Sequence, residues 1–115
     1  MAAESKRCWT LETARTILAD VRELTAAAVK EVDALVARRD ALADGDPGLP
    51  ELEAKISAAI SRWLRGMEAL GLEVKGLWLV DFDNGSGYFC WKWPEERLEF
   101  FHGYEEGFQG RTRIQ

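Results

Sequence analysis

Among the 115 residues there is one histidine and there are two cysteines, too few for a zinc site built from cysteine and histidine alone. Cys8 and Cys90 lie far apart and resemble no disulfide framework, so both are expected to be free thiols. No run of about 20 apolar residues is present for a membrane helix, and residues 1–7 lead into no apolar signal-peptide core. A cytoplasmic protein with no membrane partner is expected. An excess of basic charge is also missing: 15 Lys and Arg against 20 Asp and Glu give a net charge of −5, which opposes binding to DNA or RNA. The phosphate loop, dinucleotide-binding glycine fingerprint, H-E-x-x-H helix, nucleophile elbow and EF-hand loop are all absent. No enzyme class built on those motifs is indicated, no cofactor is implied, and the chain points away from an enzyme.

Hydrophobic residues at 47% and charged residues at 30% match ordinary globular usage, and the length suits one domain spanning residues 1–115. Aromatic residues divide the chain, because only Trp9 and Trp63 precede Gly71 while the other tryptophans and every Tyr and Phe follow it. Helix before Gly71 and sheet after it is the simplest reading. Thr10 precedes Leu11 and Glu12, so its hydroxyl can cap a helix start that the acidic residue also favours. Apolar residues then recur at helical spacing through Ile17, Leu18, Val21, Ala28, Val32, Leu35 and Leu42 with no Gly or Pro between. This predicts a helix over about 11–43. Residues 44–50 read Asp-Gly-Asp-Pro-Gly-Leu-Pro, a turn. Leu52, Ile56, Ile60, Trp63, Met67 and Leu70 mark a second helix over about 51–70, ended by Gly71. A short connection makes the two helices antiparallel, so residues 11–70 form a hairpin.

From Leu72 the apolar period is two. Strands are predicted over 77–82, 88–93 and 97–102, with a weaker one over 73–75, and residues 72–115 therefore form an antiparallel meander of three or four strands with a tail. Asp83-Asn84-Gly85-Ser86-Gly87 and Pro94-Glu95-Glu96 supply the turns. Pairing Trp93 with Leu98 sets Trp91 opposite Phe100 and Phe89 opposite His102, and continuing the register puts Leu77, Leu79 and Asp81 on that same helix-covered face. The fold class is α+β: a long antiparallel helical hairpin on a small antiparallel sheet.

The same register brings His102 and Asp81 together. An imidazole beside a carboxylate is held in one tautomer, an arrangement shared by general bases, metal ligands and plain structural pairs. Arg111, behind Gly107-Phe108-Gln109-Gly110, can bind an anion or pin the tail by pairing with Asp81, Glu105 or Glu106. Phe108 is expected to anchor the tail at the junction of helices and sheet. Cys90 falls on the opposite face with Tyr88 and Lys92 and has no paired histidine to make it a nucleophile. Trp78, Tyr88 and Phe101 share that second face and, if exposed together, offer a surface for a partner.

Gly71-Leu72-Glu73-Val74-Lys75, Leu79-Val80-Asp81-Phe82, Cys90-Trp91-Lys92, Phe100-Phe101-His102 and Gly107-Phe108-Gln109-Gly110-Arg111 together resemble a family of small bacterial and archaeal proteins catalogued as domain of unknown function 2203. The opening Trp9-Thr10-Leu11-Glu12 is similar to that family's helix start. Glu105 and Glu106 match its acidic stretch, while Lys92 stands where arginine is common. The resemblance implies the same order of elements and singles out Asp81, Cys90, Trp91, His102, Gly107, Phe108, Gly110 and Arg111 without assigning them roles.

Two functional readings follow. One is a non-catalytic interaction or binding protein, self-associating as a homodimer. The other is a small-molecule, anion or metal site, conceivably hydrolytic, assembled from Asp81, His102, Glu105 and Arg111; with one histidine available, a metal there needs carboxylate help.

Overall fold

The computed structural model describes residues 8–115, so the expectation for residues 1–7 lies outside them. The first helix, α1 (Leu11–Asp40), starts as the sequence implies. Thr13 N–H donates to Thr10 Oγ1 at 3.0 Å, and Thr10 N–H donates back to Thr13 Oγ1 at 3.0 Å, so two of the free donors at the helix start are satisfied reciprocally. Arg38 and Arg39 in the last turn complement the negative helix end. The helix stops at Asp40 rather than Ala43, because residues 41–48 fold into successive turns that pass through Gly45 at φ 79°. The second helix, α2 (Leu49–Ala69), takes Pro50 into its first turn and ends where Gly71 adopts φ 93°.

The helices are joined inside by a polar lock. Thr25 is fully buried on α1, and its Oγ1 accepts a hydrogen bond from Trp63 Nε1 at 2.9 Å. Two apolar clusters flank this point. Val32, Leu35, Leu52 and Ala59 close the far part of the hairpin, while Ala14, Leu18, Val21, Trp63 and Met67 pack on the sheet. No helix among the described residues is long and apolar enough to cross a membrane.

The sheet is a five-stranded antiparallel meander, β1 (Glu73–Gly76), β2 (Leu79–Asp83), β3 (Tyr88–Lys92), β4 (Phe100–His102) and β5 (Thr112–Arg113), with neighbours in chain order. The fifth strand lies beyond the three or four expected: the tail turns back and pairs Thr112 with Phe101 and Arg113 with Phe100. Two glycine-poor residues of that strand gave no alternation long enough to read.

The register differs from expectation by one residue on each side of β3. Val80 faces Trp91 and Asp81 faces Cys90 across β2 and β3; Cys90 faces Phe100 and Tyr88 faces His102 across β3 and β4. A slip of one position turns every side chain to the other face. Trp91, Val80 and Phe82, all fully buried, therefore meet the helices, as expected for Trp91, while Leu79, Asp81, Phe100 and His102 turn away from them. The cause lies in the connections. Trp78 takes a left-handed φ of 60° and packs edge-on against Trp63 at 4.8 Å, which breaks the alternation between Leu77, half exposed, and Leu79. Residues 93–99 form a wide loop rather than a tight turn, and Leu98 drops into the helix-facing core from that loop and not from a strand. Trp9 closes the other end of the sheet: its N–H donates to Asp83 O at 2.7 Å and its ring meets Phe82 edge-on.

Candidate functional site

The sheet face turned away from the helices is roofed by the tail. Tyr104, Gly107 and Phe108 close over Lys75, Leu79, Asp81, Cys90 and His102, leaving a cavity of about 280 Å³. Gly107 makes the roof's bend at φ 68°, and Gly110 must stay without a side chain because a Cβ there would stand 2.7 Å from Glu106 Cβ. Phe108 thus lies over the outer face, partly exposed, and not at the junction of helices and sheet.

Three central strands each give one residue to the floor: Asp81 from β2, Cys90 directly opposite it on β3, and His102 diagonally placed on β4. All three are buried, and one donor atom from each lies within 4.8 Å of the other two. Asp81 Oδ2 meets His102 Nε2 at 3.0 Å and Lys75 Nζ at 3.2 Å. Its other oxygen, Oδ1, is buried and has no hydrogen-bond partner, a costly state for a carboxylate oxygen out of water. Lys75 also approaches Glu73 at 3.7 Å and stands 3.8 Å from the centre of the Tyr88 ring. Burial works against the Lys75 ammonium, but Asp81 and the hydrogen bond to it outweigh that loss and hold its pKa above the ordinary value.

His102 is held from both sides. Nδ1 lies 2.8 Å from Gly103 O, and a carbonyl can only accept, so Nδ1 carries a proton. Nε2 faces a carboxylate oxygen, which also only accepts. Both contacts are satisfied together when one proton, or some other cation, lies between Nε2 and the carboxylate.

Cys90 is the inert kind of thiol. Burial first, and the Asp81 carboxylate second, push its pKa up to about 12, with Arg111 acting weakly in the opposite sense. A nucleophilic role is therefore unsupported at neutral pH. Tyr88 donates to Glu73 Oε1 at 2.9 Å and Tyr104 to Asp83 Oδ1 at 2.7 Å. Tyr88 is raised by burial and then by its bond to Glu73, and Tyr104 is pushed to about 12, first by its bond to Asp83.

Of the residues singled out in the sequence, Asp81 and His102 do meet, and Cys90 joins them. Glu105 does not: it is exposed and stands outside the cavity lining. Arg111 pairs with neither Asp81 nor a tail glutamate. Its guanidinium reaches Glu95 Oε2 at 2.9 Å and lies between the Phe100 and Phe108 rings, 4.1 Å from each centre. Of the tail's carboxylates, Glu106 accepts from Gly103 N at 2.7 Å. Lys75, Tyr88, Tyr104 and Glu95 were not legible as site residues; once the register is known, Lys75 and Tyr88 fall on the site face by alternation, whereas Tyr104 and Glu95 arrive from loops.

The fold and this site define a small α+β protein with a tail-covered polar cavity on the outer face of its sheet. The chain belongs to the family described as uncharacterized conserved protein (DUF2203), whose model matches residues 7–114. Neither the curated proteins nor the solved structures include a match to it.

Proposed function

We propose that this chain is a binding protein whose ligand, an ion or a molecule of a few heavy atoms, occupies the cavity between the outer sheet face and the tail. One observation carries this reading: the buried Asp81 carboxylate keeps an unsatisfied oxygen at the floor of that cavity, and such an oxygen calls for a partner that completes it, whether an ordered water, an ion or a ligand atom. The volume of about 280 Å³ is at the lower end of ligand cavities, which limits the occupant's size. A cytoplasmic setting, in which Cys90 stays reduced, agrees with it.

A second hollow of about 240 Å³ lies between α1 and α2, but it is walled by Ala27, Ala28, Ala59 and Gly66, and its charged pair, Arg62 and Glu31, is already joined at 3.0 Å on the surface. It is a groove left by small side chains. Self-association through aromatics of the second sheet face has less support, since Tyr88 is buried beneath the tail and Trp78 packs on Trp63.

The test is a backbone amide NMR titration of the reduced protein with a panel of phosphate, small carboxylates, small amines and divalent cations. The expected result is saturable shifts centred on Lys75, Asp81, Cys90, His102 and Tyr104 for at least one of them. A panel that leaves these resonances in place, or moves only those of the helical groove, refutes the reading.

A further inference from the structure

The geometry points to a divalent transition-metal site at Asp81, Cys90 and His102, one that takes a thiophilic cation of the zinc or cobalt type. This rests on the cavity reading above and names the occupant.

The donor set is nitrogen, oxygen and sulfur, one from each of three adjacent strands, with the three atoms within 4.8 Å of one another. A tetrahedral ion with bonds of about 2.0–2.3 Å spaces its ligands by about 3.3–3.6 Å. His102 Nε2 and Asp81 Oδ2 are at 3.0 Å already, so closing the set asks the most distant pair to move by about 1 Å. Borderline-soft ions accept such a mixed set, whereas magnesium and calcium call for oxygen ligands throughout.

Two further features separate this cluster from a plain buried ion pair. First, the Nδ1–H of His102 is fixed on the Gly103 carbonyl at 2.8 Å, the outer hydrogen bond that orients a metal-bound imidazole and leaves Nε2 as the ligand. Second, Asp81 Oδ1 is buried without a partner. Lys75 supplies the positive charge that Asp81 needs when no metal is bound, and it has somewhere else to go: Glu73 and the Tyr88 ring are both within 4 Å of its Nζ. Metal entry is therefore an exchange of cations at Asp81. As the bonds form, the Cys90 S–H and His102 Nε2–H protons pass to solvent, sulfur and nitrogen donate their lone pairs, and no oxidation state changes. Three protein ligands leave a fourth position open toward the cavity.

The test uses cobalt(II) as the probe on the full chain in a Cys8→Ser background, with reductant present. A thiolate-to-cobalt charge-transfer band in the near ultraviolet is expected, saturating at one cobalt per chain and displaced by zinc. Cys90→Ser should remove the band, and Lys75→Met should tighten cobalt binding by about tenfold through loss of a competing positive charge. Because Cys90→Ser can disturb a buried position, zinc-edge X-ray absorption on the protein with all three ligand residues intact provides a variant-free check: one sulfur among nitrogen and oxygen neighbours is expected. A protein that gives no band at stoichiometric cobalt, a band that survives Cys90→Ser, or a zinc shell without sulfur overturns the site. If cobalt fails while a metal-free small ligand still shifts the cavity resonances in EDTA, the metal assignment falls and the cavity reading stands. If nothing shifts them, both fall.

Discussion

Replacing Trp91 by alanine measures whether the sheet faces the helices as described. Trp91 is fully buried, packs in the cluster formed with Leu18, Val21, Met67, Val80 and Phe82, and donates its indole N–H to Glu95 O at 2.8 Å. Removing the ring deletes its transfer free energy and leaves a cavity, together costing ~3–5 kcal/mol. For a chain of this length the unfolding entropy gives about 4 °C of melting temperature per kcal/mol, so a fall of about 12–20 °C is expected. Trp91→Phe should fall between the two, since it keeps most of the apolar volume but leaves the Glu95 carbonyl without its donor, at ~1–3 kcal/mol. Phe101→Ala is the control. Phe101 is 42% exposed on β4, and its loss should cost less than ~1 kcal/mol. Urea melts followed by circular dichroism supply the comparison. A Trp91→Ala loss below about 1 kcal/mol would show that the register places the wrong face against the helices.

Ellman's reagent at pH 8 should titrate one thiol in the native protein, the exposed Cys8, and two in urea, since Cys90 is buried with its pKa pushed up to about 12; two fast thiols in the native state would contradict the packing at β3. The two tyrosines are both raised, Tyr104 to about 12, so tyrosinate absorbance should stay low through pH 10 in the native chain and rise there in urea. With the folded value above the unfolded one, the stabilisation from these phenols is complete below pH 10 and is lost as the pH climbs through the folded values; a native titration centred at 10 would deny both hydrogen bonds. Arg111→Ala removes a mostly buried ion pair and two ring contacts, and should lower stability by about 2–3 kcal/mol; an unchanged melting temperature would mean that the tail is held by something else.

The helical half was legible because its signals are local. Thr10 caps α1, the Asp-Gly-Asp-Pro-Gly-Leu-Pro stretch breaks the chain, and Gly71 ends α2, each recognisable from a few neighbouring residues. The existence of the first four strands was legible for the same reason, and register was not. Leu77 and Leu98 look like strand residues by alternation, but each belongs to a connection, and those connections fix which face the next strand presents. The expected Asp81–His102 pairing survived because β2 and β4 are displaced from expectation together, one residue each about β3. Both residues moved to the face that already held Cys90. That coincidence turned a suspected pair into a three-residue cluster, and no pattern in the linear sequence signals it. Arg111 failed for a different reason: its partner, Glu95, arrives from the wide loop between β3 and β4, and loop conformation has no period to read.

The floor of the site is drawn from strands joined in chain order, with Asp81, Cys90 and His102 only 21 residues apart from first to last. None of the three is supplied by a helix. Closing such short loops is a modest entropic cost and a fast event, whereas the bond from Trp9 N–H to Asp83 O must bring together positions on opposite sides of the whole hairpin. A cation at the proposed site would therefore tie three adjacent strands to one another rather than the sheet to the helices.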